Sequence, residues 1–177
     1  MKRRKDESHR FSELRRSHEH ERCVSRAMRR ADQLCQERGL KLTPLRKRVL
    51  ELVWERHAPV TAYGILEKLS REGLGSAPPT VYRALNFLIG AGLVHRIDSL
   101  NAYFGCEEPR ANHAAQFLVC RSCHGVTELG DPAISRLLAH RQRAAGFVAD
   151  APDVEIKGLC DGCRGATVPT SSTLGAP

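Results

Sequence analysis

The chain has no run of about 18 consecutive apolar residues, the minimum for a membrane-spanning helix. Met1 leads directly into Lys2-Arg3-Arg4-Lys5, without the apolar run of a secretory signal. Aromatic residues make up only 5% of the chain and hydrophobic residues 41%, which is enough for packed cores but not for a membrane protein. We therefore expect a soluble, cytoplasmic protein that does not associate with membranes.

The common motifs of hydrolases and nucleotide-binding enzymes are also missing. The 177 residues contain no HExxH sequence, no nucleophile motif and no Gly-rich phosphate loop. A zinc hydrolase would need a metal with an open coordination position and a nearby general base. We predict that the protein is not an enzyme, and a zinc hydrolase or a thiol oxidoreductase is the alternative.

Positive charge exceeds negative charge by a formal +8 at pH 7, and the pI is near 9.4. Such a surface attracts polyanions, of which nucleic acid is the commonest. Residues 1–24 hold eight of the basic residues against five acidic ones and have little to bury. They predict a disordered basic extension. An over-called translation start or a non-specific phosphate-binding arm are the alternatives.

The pattern of residues 25–105 predicts a winged helix-turn-helix domain. Apolar residues at steps of three and four from Val24 indicate a helix that ends at Gly39, and Thr43-Pro44 and Thr61 mark the next two helix starts. A fourth helix is predicted up to Gly90. Two strand-like runs, residues 93–97 and 100–104, then form a hairpin around Asp98-Ser99.

The fourth helix has a polar front near its N-terminus, with Tyr82 and Arg83 opposite an apolar face. A short helix with a packed back and such a front suits reading of the DNA major groove, where an arginine can bind guanine through two hydrogen bonds. Lys41 and Arg46, with Lys47 and Arg48, are candidates for phosphate contacts. An ordinary helical domain with a solvated Arg83 is the alternative.

Residues 106–163 predict a small α+β domain. Strands at 117–120 and 125–129 flank a turn, a helix opens at Asp131-Pro132, and residues 154–159 alternate like a half-buried strand. A domain of about 60 residues is marginal alone, so it needs a metal, a partner subunit or both. Residues 164–177 are mostly small and polar, and they predict a disordered tail.

Two CxxC pairs carry the strongest chemical signal. Cys120 and Cys123 form one pair, and Cys160 and Cys163 form the other. This spacing lets two thiolates occupy neighbouring corners of a tetrahedron, and two pairs make a closed, structural zinc site. A thioredoxin-type redox motif or an iron–sulfur cluster are the alternatives, but each normally comes in a different sequence context.

A second set of potential ligands straddles the predicted domain boundary: His95, Cys106, His113 and Glu128. Each residue alone is ordinary and could be solvated. Two imidazoles, one thiolate and one carboxylate together suit Zn²⁺, whereas Fe²⁺ sites more often lack sulfur. The set suggests a second zinc site.

Several segments resemble the ferric uptake regulator family, and within it the zinc uptake regulator branch. They are Leu42 to Arg46, Pro78 to Leu85, Gly92 to His95 and the paired CxxC motifs, so the similarity covers roughly residues 25–163. The resemblance implies an α+β protein with an N-terminal winged-helix DNA-binding domain and a C-terminal α/β dimerisation domain. It further implies a homodimeric repressor that binds double-stranded operator DNA and controls zinc uptake and homeostasis genes.

The resemblance also implies individual roles. The four CxxC cysteines fall where the family places its structural zinc, and His95, Cys106, His113 and Glu128 fall where the zinc branch places its regulatory zinc, so two zinc ions are expected per chain. Tyr63 and Arg83 correspond to residues that contact bases. Iron-sensing members carry His-His-Asp-His where this chain has Ala114-Ala115-Gln116-Phe117, which disfavours iron and manganese sensing. Cys106 argues against a peroxide sensor.

Overall fold

The computed structural model of the protein describes residues 20–56, 58–74, 77–109, 115–149 and 153–164. In chain order, its elements are α1 His20–Glu37, α2 Pro44–Trp54, α3 Ala62–Arg71, α4 Pro78–Gly90, β1 Val94–Ile97, β2 Ala102–Gly105, β3 Gln116–Cys120, β4 Val126–Leu129, α5 Pro132–Ala144, β5 Val154–Gly158 and α6 Asp161–Arg164. A short 3-10 turn, Asp98–Leu100, joins β1 to β2. None of the helices in these ranges is long and apolar enough to cross a membrane.

The two predicted disordered segments fall mainly outside the described residues, since 1–19 and 165–177 are not among them. At their inner ends the structure corrects the sequence prediction. Helix α1 begins at His20 rather than Val24, because a polar first turn leaves no mark in the apolar spacing on which the prediction was based. Arg164, assigned to the tail, is the last residue of α6.

Side-chain caps fix most of the predicted helix starts. The Thr43 hydroxyl accepts a hydrogen bond from the Arg46 N–H before α2, and the Thr61 hydroxyl accepts one from the Gly64 N–H before α3. Asp131 does the same for the Ala133 N–H at the start of α5, at 2.7 Å. These contacts satisfy amide groups that the helix itself leaves unpaired. The starts read from the sequence are confirmed at all three positions.

The first core lies between α1, α2, α3, α4 and the β1–β2 hairpin. Its members are the apolar faces of the helices and the inner side of the hairpin, including Met28, Ala31, Val49, Leu50, Leu52, Val53, Ile65, Leu69, Val81, Ala84, Leu85, Leu88, Val94 and Tyr103. The hairpin is antiparallel, with His95 opposite Phe104. Helices followed by this hairpin form the predicted winged helix-turn-helix.

The second part of the chain is a three-stranded sheet with strand order β4-β3-β5. Strand β3 pairs antiparallel with β4 and parallel with β5, which places β5 at an edge. Helix α5 connects β4 to β5 and has no fully buried residue within the single chain. Large apolar side chains stay exposed in this part: Leu137, Phe147, Val148, Ile156 and Leu159.

The hairpin packs on both parts of the molecule. Ile97 and Phe104, on its outer side, form a second apolar cluster with Ala115, Phe117, Val119 and Val126 of the sheet region. The rings of Phe104 and Phe117 meet edge to face, with centroids 6.5 Å apart. The boundary predicted after residue 105 follows β2, yet the packing is continuous across it. The winged-helix part therefore docks on the sheet through its hairpin.

Gly105 ends β2 directly against the indole of Trp54. A Cβ atom at this position would lie 2.5 Å from Trp54 Nε1 and 2.8 Å from Cζ2, which no side chain can tolerate without movement of the ring. We expect Gly105→Ala to destabilise the protein by about 1–3 kcal/mol, the usual cost of overpacking. Thermal unfolding followed by the fluorescence of the single tryptophan measures this change.

Gly90→Ala is the matched control, because a Cβ atom there meets nothing within 4 Å. We expect this variant to unfold at the wild-type temperature or slightly above it, as helical alanine is favoured over glycine. Equal melting temperatures for Gly105→Ala and the wild type would contradict the packing described at β2.

Candidate metal centres and nucleic-acid interface

Cys120, Cys123, Cys160 and Cys163 come together as one group, here called the cysteine cluster. Their sulfur atoms all lie within 4.8 Å of one another, and Cys123 Sγ is 3.8 Å from Cys160 Sγ. Two sulfurs bound to a tetrahedral zinc at about 2.3 Å are about 3.8 Å apart, so this spacing fits the ion. The two cysteine pairs, distant in sequence, meet because β3 and β5 are parallel neighbours.

The ionisation of the cysteine cluster also favours a cation. Burial and hydrogen bonds with Cys163 and Cys120 raise the pKa of Cys160 to about 12. Burial opposes ionisation of Cys120 too, but backbone N–H groups of Cys123, Cys160 and Ser122 more than offset it and lower that pKa to about 6. One thiolate is therefore favoured while its neighbour stays protonated. A divalent ion removes this conflict, because thiolates are its ligands.

The second group is the junction cluster, formed by His95, Cys106 and Glu128. One ligand atom from each residue lies within 4.8 Å of the others. His95 is on β1 and Cys106 directly follows β2, whereas Glu128 is on β4 of the sheet. The His95 Nε2 atom is 3.6 Å from Glu128 Oε1, and the two side chains are only 11% and 5% exposed. His113, the fourth predicted ligand, lies outside the described residues.

Backbone hydrogen bonds hold the junction cluster in place. The Cys106 N–H donates to the Leu93 carbonyl at 3.1 Å, which closes the base of the hairpin. The Glu107 N–H donates to Glu128 Oε2 at 3.3 Å, which links the segment after β2 to β4. Nitrogen, sulfur and carboxylate donors in a buried group suit Zn²⁺, so the residues present fit the ion.

The junction cluster has a protonated thiol in the absence of a cation. Burial, followed by the negative charge of Glu128, raises the pKa of Cys106 to about 12. A metal ion that takes this sulfur as a ligand must therefore displace a proton. The nearby carboxylate, which disfavours a second anion, then becomes a ligand of the same ion.

The predicted base-reading residues lie at the surface of the winged-helix part. Tyr63 on α3 is 76% exposed and Tyr82 on α4 is 49% exposed. Arg83 is exposed on α4, and within the described ranges no hydrogen bond or ion pair is found for its guanidinium. The opposite side of α4 is buried, as predicted.

The predicted phosphate contacts are engaged to different degrees. Lys41 is exposed. The Arg46 guanidinium lies 3.6 Å from the centre of the Phe87 ring and donates to the Lys41 carbonyl. Lys47 pairs with Asp32, and Arg48 bridges Glu51 and Glu72. Arg46, Lys47 and Arg48 thus all have intramolecular partners, but only Lys47 and Arg48 pair with carboxylates, which would compete with a phosphate for the same positive charge.

Two carboxylates that contact the hairpin were not identified from the sequence. Asp153 Oδ2 is 3.7 Å from His95 Nδ1, and Glu155 accepts a hydrogen bond from the Asp98 N–H at 2.6 Å. Asp153 directly precedes β5, and Glu155 is the second residue of that strand. Acidic residues two positions apart on a strand share one face, but such a pattern does not indicate which element that face meets.

The sequence and structure resemble known proteins over most of their length. The model of the Ferric uptake regulator family matches residues 37–157. The Zinc uptake regulation protein of Escherichia coli (strain K12) is 32% identical over 136 residues, which cover 75% of this chain and 78% of that protein. The protein of the same name from Mycobacterium tuberculosis (strain CDC 1551 / Oshkosh) is 33% identical over 107 residues, 59% of this chain and 79% of the relative.

Two solved structures share the fold. Holo XcZur superposes with a TM-score of 0.72 and 42% identity, and the match covers 78% of this chain and 97% of that one. A zinc uptake regulator complexed with zinc and DNA superposes with a TM-score of 0.74 and 30% identity, over 80% and 95% of the two chains.

Loss of one ligand from the cysteine cluster should unfold the sheet. We expect Cys160→Ser to lose one zinc ion per chain. We also expect the far-UV circular dichroism of the protein to decrease as β3, β4 and β5 unfold, because structural zinc contributes about 10 kcal/mol or more of folding free energy. Metal analysis by atomic emission gives the zinc content. Cys23→Ser, outside both clusters, should keep the wild-type values, and a folded, zinc-replete Cys160→Ser would contradict the assignment.

Zinc affinity at the junction cluster should depend on pH. Below the raised pKa of Cys106, each bound ion displaces one proton from the thiol, so affinity should rise about tenfold per pH unit as the pH increases. Competition with a chromophoric chelator above about pH 7.5 measures the slope. Cys106→Asp, whose carboxylate is already ionised, should show a smaller slope, and a wild-type affinity that does not change with pH would contradict the protonated thiol.

Proposed function

Because the chain belongs to the ferric uptake regulator family, we propose that it is a zinc-responsive transcriptional repressor that binds double-stranded operator DNA as a homodimer. Its targets would be zinc uptake and homeostasis genes. Relatives named zinc uptake regulation protein and a related structure with zinc and DNA support the proposal. The observation that carries it is the junction cluster, in which nitrogen, sulfur and carboxylate donors from the hairpin and the sheet converge within 4.8 Å.

Two zinc ions per chain are part of the proposal. The cysteine cluster would hold a structural ion, since four thiolates leave no open coordination position. His95, Cys106 and Glu128 would hold the regulatory ion, with His113 as the proposed fourth ligand. Zinc at the junction cluster would supply a positive charge, and ligands from the hairpin and from the sheet would bind the same ion.

The position of the hairpin on the sheet would connect metal binding to DNA binding. Only residues 91–93 separate α4, the proposed recognition helix, from β1. Helix α4 and the hairpin would therefore move together. His95 and Cys106 both lie at the base of the hairpin, and Glu128 belongs to the sheet. The position of the hairpin on the sheet therefore sets the position of α4 relative to the part of the chain assigned to dimerisation.

The spacing of two recognition helices determines whether a dimer reads its operator. DNA half-sites are a fixed distance apart, so only a narrow range of α4 separations reaches both. Affinity falls by the fraction of molecules that hold the competent arrangement. Coupling of about 3 kcal/mol between metal and DNA binding would change operator affinity by roughly two orders of magnitude.

The DNA-contacting surface comprises the exposed residues of the winged-helix part. Arg83 would bind a guanine edge, and such a contact is worth about 1–3 kcal/mol of discrimination. Tyr63 and Tyr82 would approach bases from α3 and α4. Lys41 and Arg46 would bind phosphates, and the stacking of Arg46 on Phe87 holds α2 against α4 behind this surface.

The sheet side would form the dimer. Strand β5 is at an edge, and five large apolar side chains of this part of the chain are exposed: Leu137, Phe147, Val148, Ile156 and Leu159. Several large exposed apolar side chains in so small a domain are typical of a surface that a partner subunit covers. Iron, manganese or peroxide sensing and a zinc-dependent enzyme are less well supported, because the family is one of regulators and Cys106 lies within the junction cluster.

Operator binding of the variant Cys106→Ser tests the proposal. The wild type should bind operator DNA in gel shifts at least 100-fold more tightly with buffered Zn²⁺ than without it, by the coupling given above. The variant should lose this dependence while it keeps its fold, since the cysteine cluster is intact. Cys23→Ser should respond like the wild type. A normal zinc response of Cys106→Ser would contradict the regulatory role of the junction cluster.

A further inference from the structure

We propose that Asp153 is a positioning residue for the regulatory zinc: its carboxylate accepts a hydrogen bond from His95 Nδ1–H and thereby directs Nε2 toward Cys106 and Glu128. The inference rests on the proposed function, because it concerns the ion that the junction cluster would hold. It assigns a role to a residue outside the ligand set, directly before the strand that follows α5.

The imidazole of His95 has a different carboxylate on each side. Its Nε2 atom lies 3.6 Å from Glu128 Oε1, and its Nδ1 atom lies 3.7 Å from Asp153 Oδ2. The Phe117 ring packs edge to face against the imidazole, with centroids 5.1 Å apart, which limits how far the ring can turn. Each nitrogen of the imidazole therefore faces a different carboxylate.

A neutral imidazole carries one proton, and the acceptor beside one nitrogen decides which nitrogen is left for a metal. Histidine ligands usually donate their other N–H to a carboxylate or a carbonyl, which fixes the tautomer and the ring orientation. Asp153 occupies this place for His95. The present separation of 3.7 Å is longer than a hydrogen bond, so the proposed contact requires the two side chains to come closer by about 0.7 Å.

Asp153 is itself held by the sheet. Its Oδ1 atom accepts a hydrogen bond from the Ala115 N–H at 3.1 Å, and the Val154 N–H donates to the Ala115 carbonyl at 2.9 Å. One carboxylate oxygen is thus anchored while the other faces the imidazole. Because Asp153 is on the sheet side and His95 on the hairpin, this contact joins the same two elements as the regulatory ion.

Glu155, the second residue of β5, provides a matched comparison. It lies two residues after Asp153 and accepts hydrogen bonds from the backbone N–H groups of Asp98 and Ser99, at 2.6 and 3.3 Å. Its contacts therefore also join hairpin and sheet, but they reach the turn of the hairpin and not His95. A variant at Glu155 separates loss of docking from loss of histidine orientation.

The test compares Asp153→Asn with Glu155→Gln in the full-length protein. The asparagine oxygen can still accept from Ala115, while its NH₂ group faces Nδ1 and favours the tautomer with the proton on Nε2. We expect zinc affinity at the junction cluster to fall about 10- to 100-fold, the usual effect of losing such a partner. Nitrogen-15 NMR of the zinc-free protein should show the His95 proton moved from Nδ1 to Nε2.

Glu155→Gln should keep the wild-type tautomer of His95 and a zinc affinity within about threefold of wild type, because glutamine still offers an oxygen to the turn. Wild-type affinity and tautomer in Asp153→Asn would overturn the role of Asp153 and leave the proposed function intact. An equal loss of affinity in both variants, without a change of tautomer, would also overturn it, because docking alone would then explain the loss. If the wild type bound no zinc at the junction cluster, both the inference and the proposed function would fail.

Discussion

Three potential metal-ligating groups are buried where the hairpin meets the sheet. Cys106 and Glu128 are nearly inaccessible to solvent, and the charge of Glu128 disfavours ionisation of the Cys106 thiol. A buried carboxylate beside a thiol and an imidazole is costly without a cation. Because the donors come from two parts of the chain, binding of a cation there also stabilises one arrangement of those parts. In a DNA-binding dimer, that arrangement decides operator affinity.

The apolar cluster of Ile97, Phe104 and Phe117, here called the apolar seam, and the metal ligands differ in how they constrain the hairpin. Ile97 and Phe104 bury their side chains in one apolar cluster with Phe117, so this packing gives the hairpin a preferred place on the sheet. Apolar packing is weakly directional, whereas metal ligands and hydrogen bonds depend on distance and angle. The seam thus brings the ligands near one another, and in the proposed mechanism the ion, with Asp153 orienting His95, would select the orientation. A switch of a few kcal/mol needs no larger rearrangement.

Local chemistry made much of the fold predictable, and long-range packing made the rest unpredictable. Helix starts are marked by the capping side chains of Thr43, Thr61 and Asp131. The spacing of the two CxxC pairs directly indicates metal binding by thiolates. The pairing of Cys120 with Cys160 needed only that β3 and β5 be neighbours. Nothing local shows that the outer side of the hairpin meets the sheet, so the Ile97–Phe117 seam and the contacts of Asp153 and Glu155 emerged only from the structure. The polar start of α1 was missed for a different reason, since periodicity detects apolar residues alone.

The distance between the two α4 helices of the dimer tests the central claim most directly. A spin label carried by an unnatural amino acid at Asn86, exposed on α4, avoids the seven native cysteines. Pulsed electron paramagnetic resonance then gives the distribution of label separations with and without zinc at the junction cluster, while the cysteine cluster stays filled. If the ion fixes the hairpin on the sheet, the distribution should be narrow with zinc and broader or displaced without it. Identical distributions in the two states would contradict it.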